Sequence, residues 1–284
     1  MAKRKPKRKP KALYFDSMVE MAKYIDATPR EPAAGEVSEQ TSRGSDWTDM
    51  SYTDAMKLAH NGGYWKEGAE RMVAGVADAA ALRENFQQPV ISNDVAGFAP
   101  DVPAYLAGVP DCMMAMQEGD MSTAQLPVVT IGVGTYASGV SSEAVFNRGV
   151  AILSLIDAVE AIGYRVQLDY VGDNCDGSDD NQIIRTTLKR SQDTWNPGSV
   201  AFALANSAML RRLEFALIER DPATVRRSQG GYGRGDDGYL EEYGLAFEYM
   251  RSNHGFISLS ESLRTVERMA ADFGMDVKLI EESA

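Results

Sequence analysis

Hydrophobic and polar positions change rhythm at Pro127. Val128-Val129-Thr130-Ile131-Gly132-Val133 is a short, apolar, β-branched run of the kind that forms a buried strand. A long helix is expected over about 142–162, with Val150, Ile152, Leu153, Leu155, Ile156 and Val159 as its core side and Gly163 as its stop. Residues 165–171 then alternate like a second strand. A helix over about 180–192, a strand over 199–204 and a helix over about 206–219 follow in the same reading. Helices near 239–251 and 260–273 and a closing strand, 275–280, complete it. Strands alternating with helices predict an α/β fold, a mostly parallel sheet flanked by helices.

The first half reads differently. Ser17 and Glu20 have capping-box spacing, and Met18, Met21, Ala22 and Ile25 form a helical stripe, so a helix is expected from Ser17 to about Ala27. Residues 28–46 contain Pro29, Pro32, Gly35 and Gly44 among polar positions and read as a loop or linker. Two helices are expected near 52–60 and 65–85, then an irregular stretch over 93–111 packed by Phe98 and Tyr105. The expected organisation is a disordered basic arm (1–12), a helical and irregular N-terminal region packed on the core (13–125), and an α/β core (126–284) with a Gly/Arg/Tyr loop at 226–238.

Charge sharpens this picture. Lys3, Arg4, Lys5, Lys7, Arg8, Lys9 and Lys11 put seven positive charges into the first eleven residues, while the whole chain has a formal charge of -12, so the remainder carries -19. Repeated like charges and Pro6 and Pro10 keep such a segment from folding alone, and a basic arm on an acidic body suits contact with a polyanion. The bulk composition, 44% hydrophobic and 25% charged, is that of an ordinary globular protein. No apolar run approaches the roughly 20 residues that span a bilayer, and the amphipathic segment after the arm is unlike a secretory signal. Two distant cysteines, Cys112 and Cys175, suit a reducing cytoplasm.

Catalytic signatures are weak. Gly132-Val133-Gly134-Thr135-Tyr136-Ala137 matches a dinucleotide-loop pattern after a strand, but the best helix start, Ser141 or Ser142, comes several residues too late. The same passage resembles the first half of a von Willebrand A-like domain, with Gly134 where that motif has its metal-binding aspartate. The resemblance therefore supports a degenerate von Willebrand A/Rossmann-like architecture and argues against the metal. The acidic run Asp173 to Asp180 lacks EF-hand spacing; Asp179 and Asp180 fit the first turn of a following helix. No serine, cysteine or histidine arrangement for catalysis stands out, so neither an enzyme nor a cofactor is expected.

A second basic region is more informative. Between Arg185 and Arg234 nine basic residues face four acidic ones, a net of +5 inside an acidic body. Arg185, Lys189 and Arg190 fall on the expected 180–192 helix, with Arg185 and Lys189 on one face. Arg226, Arg227, Tyr232 and Arg234 belong to an RGG-like loop, and Trp195 and Tyr239 are further stacking candidates. Cations for phosphates and π faces for bases are the two ingredients of single-strand binding. The alternative is a surface loop whose arginines pair with Asp236, Asp237, Glu241 and Glu242.

Several blocks also resemble a family of uncharacterised tailed-phage proteins: Phe15-Asp16-Ser17, Ser51 to Ala59, Trp65 to Gly68, Asp94 to Gly108 and Asn147 to Gly149. That family includes a single-stranded-DNA-binding RNA polymerase cofactor of N4-like phages. The resemblance implies a phage-encoded, non-enzymatic protein of the host cytoplasm that binds unwound promoter DNA and contacts a phage RNA polymerase. No membrane partner is expected, and self-association remains compatible with it. The competing readings are a Rossmann-like nucleotide-binding enzyme using Gly132 to Ala137, and a virion or scaffold protein whose arm touches packaged genome.

Overall fold

The computed structural model describes residues 11–40, 47–80, 91–94, 99–110, 112–116, 127–135, 140–161, 163–174, 182–194, 196–221, 240, 242–247, 258–272 and 274–275. Its centre is a five-stranded sheet built from β1 (Lys11–Phe15), β5 (Val128–Gly134), β6 (Arg165–Asn174), β7 (Gln182–Lys189) and β8 (Leu245–Phe247), in the order β1-β7-β6-β5-β8. The pairs β1–β7, β5–β6 and β5–β8 are parallel, and only β6–β7 is antiparallel. The protein is thus an α/β fold with a mostly parallel sheet. A separate three-stranded antiparallel sheet consists of β2 (Ile91–Asp94), β3 (Ala99–Pro100) and β4 (Met113–Met116), in the order β2-β4-β3. β3 and the end of β2 lie in the stretch expected to be irregular, 93–111, and β4 follows just after it. There, α4 (Val102–Leu106) leaves Tyr105 exposed, not packed as the expectation had it.

The βαβ unit follows from the sequence pattern. α5 (Ser142–Ala161) joins β5 to its parallel neighbour β6, as a crossover between parallel strands requires. The helix is buried nearly all round from Val145 to Val159 and sits at the middle of the helical layer. α3 (Lys66–Ala80), α6 (Pro197–Ala205) and α8 (Leu259–Asp272) pack against it. α1 (Met18–Ala27) packs on β1 and β7, and α2 (Tyr52–His60) packs on α1. Val129, Ile131, Val133, Val166, Leu168 and Ile184 supply the apolar sheet face beneath these helices.

Three expected elements are replaced. Residues 182–189 form β7, not a helix: Ile183, Ile184, Thr186 and Thr187 are β-branched, and pairing on both sides with β1 and β6 satisfies their backbone. Residues 199–204 belong to α6, not to a strand. A continuously apolar run does not reveal its period, and the deciding signals are Pro197 in the first turn and Asn196, whose side chain accepts from the Gly198 N–H. Within the expected 239–251 helix, Leu245–Phe247 form β8 instead, paired with Ile131–Val133 of β5. Of the closing strand expected over 275–280, Met275 is described and is not in a strand, and 276–280 lie outside the described residues.

Of the stretch read as a loop or linker, residues 28–40 form an irregular strap that is packed in place. Beyond α6, a π-helical turn (Met209–Glu214) runs into α7 (Phe215–Ile218), and the charged residues of this segment fasten residues 25–40 and Met50. Glu219 is fully buried; it accepts from the Ser38 N–H at 2.8 Å and the Ser38 hydroxyl at 2.6 Å, and it forms an ion pair with Arg30, whose Nε lies 3.2 Å away. Arg212 donates to the carbonyls of Ser38, Gln40 and Met50, and Arg220 to those of Ile25 and Thr28. Removing one partner of a buried ionic network leaves the others desolvated and unmatched. Glu219→Ala is therefore expected to lower unfolding free energy by about 3 kcal/mol in urea titrations and to open the strap to proteolysis. An unchanged midpoint would show that the strap contributes nothing to the fold.

Candidate nucleic-acid interface

Parallel pairing with β7 fixes the root of the basic arm. Lys11 is the first residue of β1 and pairs with Gln182, which pairs in turn with Asn174 at the end of β6. The arm therefore joins the sheet beside the β6–β7 connection, which in sequence also carries Asp176, Asp179 and Asp180. Those two last aspartates precede a strand, not the helix they were expected to start. Lys3, Arg4, Lys5, Lys7, Arg8 and Lys9 lie outside the described residues, as do Trp195, Arg226, Arg227, Tyr232, Arg234 and Tyr239.

The ladder also sets Tyr14 directly opposite Arg185. Leu13 and Phe15, one position either side, belong to the apolar face, so alternation sends Tyr14 to the other face, where it is 62% exposed. The Arg185 guanidinium lies 5.2 Å from the ring centres of both Tyr14 and Tyr243 and pairs with Glu242. The result is a row of Tyr14, Arg185 and Tyr243 across β1, β7 and the turn before β8. Tyr243 is anchored by donating its hydroxyl to Asp169 Oδ2 at 3.0 Å, and Asp169 Oδ1 accepts from Gln167 at 2.9 Å. Burial, reinforced by the Asp169 carboxylate, holds the Tyr243 phenol well above its usual pKa.

The remaining expected cations separate. A register irregularity at Leu168/Asp169 turns Lys189 away from Arg185, so the two do not share a face. Lys189 is 3% exposed and reaches Glu160 of α5 at 2.7 Å and the carbonyls of Val166 and Arg190. Arg190 is half exposed and lies 3.5 Å from Asp16. The +5 counted along the sequence is thus largely matched inside the fold: Arg212 and Arg220 hold the strap, and Lys189 holds the end of α5.

Gly132 has a packing role. A Cβ there would come within 2.6 Å of the Tyr243 ring, so the glycine admits that ring over the sheet. Gly134 ends β5, and its carbonyl accepts from buried Arg148 at 2.8 Å. The helix that follows starts at Ser142, beyond the reach of a tight phosphate loop.

A family model described as a domain of unknown function, DUF7192, matches residues 5–277. The chain belongs to the DUF7192 family. The matched span takes in the arm from Lys5 onward, the 226–238 loop and the whole five-stranded sheet. No curated protein and no solved structure matches the chain.

Tyr14 escaped the sequence reading because its partner stands far away in the chain; its one signal was its place just after the arm. Tyr243 gives a test of this cluster. An unfolded tyrosine ionises near pH 10, whereas the folded phenol stays protonated to higher pH. Above about pH 10 the unfolded state therefore binds fewer protons, and stability falls as pH rises. Between pH 9 and 11 the wild type should lose stability more steeply than Tyr243→Phe in urea titrations; equal slopes would contradict a phenol buried beside the Asp169 carboxylate.

Proposed function

We propose that the protein is a non-catalytic single-stranded-DNA-binding protein whose strand passes from the basic arm onto the sheet face that carries Tyr14. The observation behind this reading is the placement of Tyr14. It is an exposed ring three residues after Lys11, backed by a guanidinium and on the face opposite the described helices that pack on the sheet. Arm cations supply a salt-dependent phosphate term, and Tyr14 supplies a π face for a base. Because Glu242 neutralises Arg185, that arginine serves as a stacking plane behind Tyr14 more than as a phosphate ligand. Arg226, Arg227, Tyr232 and Arg234 extend the track in this proposal. The resemblance to the tailed-phage family adds the role: a transcription cofactor that helps a phage RNA polymerase engage unwound promoter DNA, with the body's -19 available to a basic partner surface.

Binding to labelled oligo-dT and to duplex of matched length tests the reading. The protein should prefer the single strand. Deleting residues 2–11 should weaken binding and flatten its dependence on salt by about 0.7 in log–log slope for each phosphate that the arm neutralises. Tyr14→Ala should weaken it about tenfold without altering the fold, the low end of what one stacked base contributes. Equal affinity for duplex, or full affinity without both the arm and Tyr14, contradicts the proposal.

A further inference from the structure

A second feature lies in the helical layer, away from the β1–β7 edge. A cavity of about 420 Å³ opens between the starts of α5 and α3, the end of α6, and the chain around Trp47. That size is typical of sites for small organic ligands, roughly 300–1,000 Å³. Its aromatic walls are fixed. Trp47 donates its indole N–H to the Val140 carbonyl at 2.6 Å, and its own carbonyl accepts from Ser207. Trp65 lies against the first turn of α3, where a Cβ on Gly68 would overlap its ring, so glycine is required at that position. Arg71 lies 4.3 Å above the Phe146 ring and has no ion pair among the described residues.

Some of the polar groups lining this cavity keep hydrogen-bonding capacity. Asn206 is 4% exposed; its Oδ1 accepts from the Ala208 N–H at 2.8 Å, while its Nδ2 donates to nothing among the described residues. Glu143 and Asp49 line the same cavity as exposed carboxylates, and neither forms an ion pair among the described residues. An amide donor and a guanidinium thus line the same cavity as two carboxylate acceptors and two indoles.

We propose that this cleft binds a nucleobase, and that the base it fits is guanine. The guanidinium of Arg71 and Nδ2 of Asn206 match the acceptors O6 and N7. A carboxylate of Glu143 or Asp49 matches the paired donors N1–H and N2–H₂. Adenine has no carbonyl, and neither pyrimidine joins a two-acceptor edge to a two-donor edge. Trp47 and Trp65 provide the stacking surfaces. The site stands apart from the proposal for the arm and Tyr14, because its ligand could be a free guanine nucleotide or a guanine within a strand.

Calorimetric titration of the full-length protein separates these cases. Guanosine monophosphate should bind saturably, ahead of the adenosine, cytidine and thymidine monophosphates, if the ligand is a free nucleotide. An oligo-dT carrying one guanine should bind better than plain oligo-dT if the ligand is a base in a strand. Arg71→Ala should lower the guanine-dependent affinity about tenfold. Asn206→Asp, which keeps the cap on Ala208 and removes the donor, should do the same. Deleting residues 2–11 or changing Tyr14 to Ala should leave binding of the monophosphate unchanged. No guanine preference in either format, or a preference that survives either cleft substitution in a folded protein, overturns the assignment.

Discussion

Five residues, Lys11–Phe15, pair in parallel with Gln182–Thr186, and this ladder closes one edge of the sheet. It fixes where the basic arm begins, places Tyr14 against Arg185, and delivers α1 onto the apolar face, where the Thr186 hydroxyl meets the Met21 sulfur at 3.5 Å. Parallel pairing requires a long return path, and here more than half of the chain lies between the two strands. The strap and α2 therefore have to pack back over the helical layer, and buried charges hold them there.

Those buried charges account for the main contrast between the chain read along its length and the chain folded. Counting residues from Arg185 to Arg234 suggests an open basic track. In the fold, Arg212 and Arg220 are spent on carbonyls of the strap and Lys189 on Glu160. Each of these groups already has several acceptors in place, so they specify packing and are not free to meet phosphate. What remains for an outside partner is narrower: the arm, one exposed tyrosine beside it, and the Gly/Arg/Tyr loop in the sequence.

Legibility followed the physics of each element. α1, α2, α5, β5 and β6 were readable because a cap or a clear period marked them, and the α/β class followed from their alternation. Residues 182–205 exchanged identity. Acidic residues before 182 imitated a helix start, and the apolar run after Pro197 hid a helix buried on every side. The Tyr14–Arg185–Tyr243 row was not readable, since its members come from three segments joined only by strand pairing. The guanine cleft draws on still more segments, and its most telling group, Asn206, looks in sequence like an ordinary residue between helices.

Photocrosslinking of the full chain to a thymine-rich oligonucleotide, with the attachment sites mapped by mass spectrometry, tests the placement of the strand most directly. Crosslinks should concentrate on the peptide containing Tyr14 and on the arm before it. Efficient crosslinking confined to other parts of the protein, with none across residues 1–16, would contradict a strand that runs from the arm onto the sheet face that carries Tyr14.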